Sequence, residues 1–283
     1  VSFLLRGENW PVDWPLFALA AAAVLYRLGG RLSAAPHDAS RRLRGAAFYA
    51  GLGVVAIAVD SPVDAYADRL FWVHMTQHVL LMMVAPPLLL LGRPWPRLIR
   101  PLPRGFRLPL ARSVLAGPTL GPARAAARWL ASPLSAFVLF NVTLLAWHVP
   151  ALYDLTLRDT AVHGLEHALF FGTALLLWAH LVPAGRAQLG DGLRVAYGTG
   201  ALLVSWVLAV VLGLATHPAY GAYAHLAHRP LGISALADQQ LAAGIMWVPG
   251  SVPFTVALFV AAYRWLDPAG ARRRRPHLRP RET

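Results

Sequence analysis

Residues 70–91 read LFWVHMTQHVLLMMVAPPLLLL, a run with no aspartate, glutamate or arginine in it. It is long enough to cross a hydrocarbon core of ~30 Å, which takes about 20 residues of α-helix. In a bilayer every backbone N–H and C=O must be satisfied within the segment, so this unalternating Leu/Val/Met run suits a helix rather than a barrel strand. Six further apolar stretches can be drawn: Trp14–Leu28, Gly45–Val59, Ala131–Val149, Thr160–Val182, Val195–Ala215 and Leu241–Tyr263. The first two are the shortest. The 283 residues are 57% hydrophobic and 14% charged, with a mean hydropathy of +0.50, a balance that soluble chains of this length rarely show. The expected fold is all-α: one membrane domain, 1–283, built as a polytopic bundle of seven transmembrane helices.

Arginine supplies all 26 basic residues and is unevenly spread. Twenty-two fall after the first stretch (Arg27 to Arg44), in the Pro- and Arg-rich link 92–130, after the fifth stretch (Arg186, Arg194) and from Arg264 onward. Only Arg6, Arg69, Arg158 and Arg229 lie on the alternate side. Positive charge is retained in the cytoplasm, which puts the N-terminus outside and the C-terminus inside. The link 92–130 and the basic tail 267–283 are then cytoplasmic, and a bacterial plasma membrane is the expected location. The formal charge of +13 is explained by topology and the anionic inner leaflet. No nucleic-acid motif accompanies it, so the expected partner of these arginines is membrane lipid. Arg124 and Arg128, one turn apart beside Trp129, suit an interfacial helix. The opening VSFLLRGENW lacks the basic region and cleavage site of a secretory signal.

Applied to the eleven histidines, this topology places eight on the outer side, leaving His37, His180 and His277 inside. Four of the eight form two HxxxH pairs within apolar helices, His74 with His78 and His163 with His167. Residues four apart share a helix face at about 6 Å, so each pair is a two-nitrogen stripe. Both helices run inward, which sets both pairs in the first two or three turns below the outer surface. Gln77 and Met82 extend the first stripe, with Met75 and Met83 to its side; Glu166 follows His163 by three residues. The chain has no cysteine, so any metal must use imidazole, thioether or carboxylate. Imidazole with thioether favours copper, cuprous above all; imidazole with carboxylate also admits zinc or iron. Histidines at a helix mouth can equally be packing residues, but ionisable groups inside a bilayer are costly and usually functional.

Further polar residues gather at this end. His148 closes the fourth helix, and Asp60 and Asp238 each abut an apolar span. Nine of thirteen acidic residues are external, either an acidic mouth that attracts a cation or the plain complement of arginines kept inside. Pro86 and Pro87 in the third helix, and Pro249 and Pro253 in the seventh, should kink both. Met246 could present its sulfur to a cavity at such a kink; it could also be core filler.

Three stretches, FWVHMTQHVLLMMVAPPLLLLGRP from residue 71, WHVPALYDLTLRDTAVHGLEHALFF from 147 and LADQQLAAGIMWVPGSVPF from 236, resemble the CtaG-type cytochrome c oxidase assembly proteins. The resemblance spans the third to seventh helices in matching order. It implies a seven-helix membrane protein that matures a haem-copper oxidase, with relatives linked to CopD-like copper-handling proteins. By motif it points to His74, His78, His148, His163, Glu166, His167, Asp238 and Met246. The leading expectation is a copper-binding assembly factor that is not an enzyme. It would deliver copper to the oxidase catalytic subunit and meet other copper chaperones. His74, His78, His163 and His167 are the candidate ligands, and Glu166 would orient a histidine or complete the shell. Met75, Met82 and Met246 would be transient soft ligands. Alternatives are a b-type cytochrome with bis-histidine haem, a cation transporter and a metal-free scaffold.

Overall fold

The structure is a computed structural model that describes residues 14–33, 38–109, 120–182, 189–226 and 230–267. Among the described residues all regular secondary structure is helical. Helices α1 (Trp14–Arg31), α2 (Ala39–Val59) and α3 (Pro62–Ala67) lead into α4 (Phe71–Leu91), followed by a short α5 (Pro94–Ile99). Next come α6 (Gly121–Leu130), α7 (Pro133–Trp147), α8 (Pro150–Thr156), α9 (Thr160–Leu181) and α10 (Asp191–Leu214). A single turn, α11 (Gly221–Ala224), precedes the 32-residue α12 (Ala235–Leu266). Starts follow local chemistry. Asp38, Ser61, Ser132, Asp159 and Ser234 each accept a backbone N–H from the first turn of their helix.

Five helices are long and apolar enough to cross a membrane: α2 with α3 (Ala39–Ala67), α4, α9, α10 and α12. The pair α6 and α7, bent by 68° at Ala131–Ser132, makes a sixth if counted as one span. The apolar stretches of the sequence predict seven. Two of those stretches yield shorter or less apolar helices. α7 has 15 residues, roughly 22 Å at 1.5 Å per residue, short of the ~30 Å core. α1 has 18 residues and carries Arg27 and Arg31 in its second half. α6 buries no side chain and sets Arg124 and Arg128 beside exposed Trp129, the form of a helix that lies along an interface. The central part of the link 92–130, residues 110–119, and the tail beyond 267 lie outside the described residues.

Helix α4 is the hub. Its most apolar window is 67% buried, against 22–33% for the other four spans. It packs on α2, α3, α9 and α12, while α10 lies along α12. Phe140, Phe170, Leu177, Trp178 and Phe254 form the main core beside Val79, Met82 and Met83 of α4. A second core joins α1 and α2 to the far end of α4, where Tyr26 stacks on Phe48 at 3.9 Å and donates to the Gly92 carbonyl. α1 approaches α5 so closely that a Cβ on Gly29 would stand 1.8 Å from the Arg97 carbonyl oxygen.

The middle of α4 departs from α-geometry. Residues Leu80–Val84 form a π turn, with the Ala85 N–H bonded to the Leu80 carbonyl. The sequence supplies the cause. In an α-helix the Met82 carbonyl would accept from residue 86, and Pro86 has no N–H. The indole N–H of Trp178 on α9 takes its place, donating to the Met82 oxygen at 2.9 Å. The expected disturbance in α4 is therefore a widened turn tied to its neighbour. α12 continues as helix through Pro249 and Pro253.

Candidate metal centre

The two HxxxH stripes face each other. His74 and His78 on α4 meet His163, Glu166 and His167 on α9, with His74 and His163 ring centroids 5.0 Å apart and those of His78 and His167 5.6 Å apart. One ligand atom from each of His74, His163, Glu166 and His167 can be chosen so that all four lie within 4.8 Å of one another. Around a single ion with bonds of about 2.0–2.1 Å, donor atoms stand roughly 3.3–4.2 Å apart. His78 stands at the edge of this quartet, its Nε2 3.6 Å from the Glu166 Oε2 that His74 Nε2 also approaches at 3.6 Å.

Helix starts set this register. Leu70, in the N-cap position of α4, offers no capping side chain, and the Asp238 carboxylate of α12 accepts the Phe71 and Trp72 N–H groups instead, at 3.0 and 2.9 Å. At the first turn of α9, Asp159 accepts from Ala161 and Val162. Each helix thus starts at a fixed point a few residues before its first histidine.

The hydrogen-bond pattern assigns the protons. Tyr223 has one proton, and burial holds its phenol well above the ordinary range, so the proton stays on. That proton goes to the Ala67 carbonyl. The His74 Nδ1, 3.1 Å from the same phenol oxygen, must then be the donor, which leaves Nε2 directed at Glu166. Neither Glu166 oxygen, nor Nε2 of His74, His163 or His167, nor either ring nitrogen of His78 has a hydrogen-bond partner. Glu166 and His74 are wholly buried, and among the described residues Glu166 has no arginine partner. Buried polar groups without hydrogen-bond partners are costly in an apolar interior. A cation shared among them would satisfy them.

The other candidates are distributed around this set. His148, buried at the end of α7, has Nδ1 2.7 Å from the Leu144 carbonyl, which leaves its Nε2 as an unpartnered lone pair; its ring lies 6.4 Å from that of His78. Met75, Met82 and Met246 line a small cavity with His78 and His148 rather than join the quartet. Asp238 caps α4, as above. Asp60 closes α2 half-buried, with Oδ2 unpartnered, and does not belong to the quartet. Gln77 points the other way, its amide donating to the Ala58 carbonyl and to Asp64. Sequence reasoning missed the tyrosines: Phe71, Tyr153, Tyr220 and Tyr223 pack as one aromatic group beside His74. Tyr220 and Tyr223, three residues apart just before α12, were the available signal.

A family model described as cytochrome c oxidase caa3 assembly factor (Caa3_CtaG) matches residues 23–267. The chain belongs to that family. The match takes in the described core from α1 to the end of α12, with the quartet near its middle. Among curated proteins, this family member is 27% identical over 224 residues to an uncharacterized protein of Mycobacterium bovis and, to the same extent, to one of Mycobacterium tuberculosis. Each alignment takes 77% of this chain but 33% of the relative, so the chain spans about a third of the length of the curated relatives it matches. No solved structure matches it.

Proposed function

We propose that this caa3 assembly factor family member takes up copper at the quartet His74, His163, Glu166 and His167 and hands it to the catalytic subunit of a haem-copper oxidase. The observation that carries this reading is the meeting of His74, His163, Glu166 and His167, with one possible ligand atom from each within 4.8 Å of the others and neither Glu166 oxygen hydrogen-bonded. Three imidazoles and a carboxylate bind several divalent metals, and the oxidase-assembly role of the family narrows the choice to copper.

The finer topology belongs to this reading too. Seven spans with the N-terminus outside put the quartet in the outer half of a bacterial plasma membrane, where copper from extracytoplasmic chaperones reaches it. The task is binding and release, with no catalysed reaction. Bis-histidine haem is disfavoured by the close, edge-to-face packing of the imidazoles, because ring centroids of 5.0 and 5.6 Å leave no room for a porphyrin between them.

The test is elemental analysis and an optical spectrum on purified protein, comparing wild type with His74→Ala and His163→Ala. One equivalent of copper lost in both variants is the expected result. A Soret band at stoichiometric haem would overturn the copper reading. Normal oxidase copper content in cells whose protein lacks all four paired histidines would leave a scaffold role instead.

A further inference from the structure

All four methionines of the chain, Met75, Met82, Met83 and Met246, line one small cavity between α4, α7, α10 and α12. Its volume is about 20 Å³, and its other walls include His78, His148, Val79, Leu144, Ser205 and Gly250. That is room for one water-sized occupant. Four methionines from two helices lining one such space differ from scattered core filler.

Two imidazoles that face the cavity have ring nitrogens without partners. His148 commits Nδ1 to the Leu144 carbonyl, so its buried Nε2 is an unpartnered acceptor. Both nitrogens of His78 are unpartnered, with the ring 3% exposed. Ser205 gives its proton to the Ala201 carbonyl. An occupant that accepts lone pairs from imidazole and sulfur fits these groups. Soft, polarisable thioethers select a soft monovalent ion over zinc, calcium or magnesium.

We propose that this cavity is a second metal station, specific for a cuprous ion and held by His78, His148 and two or more of Met75, Met82, Met83 and Met246. His78 connects the two stations. One side of its ring approaches Glu166 of the quartet, and its edge reaches the methionine cavity. The quartet holds harder, divalent ions as well, whereas this cavity takes only the cuprous state. The ion keeps its charge throughout, and no electron transfer is involved. The π turn spans Met82 and Met83, so the widened backbone that Pro86 imposes lies in the wall of this station.

The station stands apart from the quartet, and the experiment separates them. Full-length protein in detergent is titrated with Cu(I) under a competing chelator, with Ag(I) as a redox-inert substitute and Zn(II) as the hard probe. X-ray absorption at the copper edge reads sulfur ligation directly. Wild type is expected to bind two equivalents of Cu(I) with sulfur scattering, and one of Zn(II) without it. Met75→Leu/Met82→Leu/Met83→Leu/Met246→Leu, which keeps the packing volume, loses one Cu(I) equivalent and all sulfur scattering but keeps Zn(II). His163→Ala/His167→Ala loses Zn(II) and keeps the sulfur-ligated copper. If the quartet reading alone fails, Zn(II) binding is absent and the sulfur signal remains. Copper without sulfur scattering in wild type overturns the station, as does an unchanged equivalent count in the leucine variant. A water molecule is then the occupant. Should the quadruple variant fail to fold, the wild-type sulfur signal decides between the same two outcomes.

Discussion

At the scale of single residues, the decisive atom is the Tyr223 proton. It is spent on the Ala67 carbonyl, which turns His74 into a donor at Nδ1 and leaves Nε2 directed at Glu166. Tyr223→Phe removes both contacts without changing the ring. Metal affinity is expected to fall about 10- to 100-fold, the usual effect of losing a group that orients a ligand histidine, as isothermal titration with Zn(II) would show. Glu166→Gln keeps the shape and removes the charge; it should cost more affinity than Tyr223→Phe in the same titration, because a bonded oxygen is lost rather than an orienting one. The histidines and Glu166 were legible in the sequence because spacing of three and four fixes a common face. That the two stripes face each other was not, since nothing in HxxxH reports which way the neighbouring helix is turned. Tyr223 was hidden for the same reason: it reaches His74 across 149 residues of sequence.

At the scale of helices, two contacts set the height and shape of α4. Asp238 supplies the cap that Leu70 cannot, and Asp238→Ala leaves two buried N–H groups on α4 without an acceptor. The expected cost is about 1–2 kcal/mol, read as a lowered unfolding midpoint in detergent. Trp178→Phe orphans the Met82 carbonyl opposite Pro86 and should cost about 1–3 kcal/mol by the same measurement. Most spans were legible as apolar runs, and Pro86 announced a disturbance. The sequence did not announce a π turn, because its form depends on a donor from α9. Asp238 also reads as a candidate ligand, since a carboxylate beside an apolar span can serve a metal or a helix end. Only the neighbour decides which. The apolar run of α7 reads as one straight span, whereas the 68° bend at Ala131–Ser132 sets α6 and the 15-residue α7 at an angle to each other.

At the scale of the molecule, arginine asymmetry predicts an orientation that chemistry can check. The chain has no cysteine, so one introduced thiol is the sole label site. Arg158→Cys and Arg104→Cys both replace exposed side chains. In intact cells a membrane-impermeant maleimide should label the first and reach the second only after permeabilisation; the reverse pattern would invert the proposed topology. The buried acceptors of the quartet carry one more consequence, which concerns survival rather than delivery. A ligand that binds only the folded state stabilises it by mass action, by about 2.7 kcal/mol at a hundredfold excess over its dissociation constant. Neither Glu166 oxygen has a hydrogen-bond partner, so a cation bound there would stabilise the folded chain. The amount of this protein in the membrane should therefore track the metal supply, through proteolysis of chains that never met their ion.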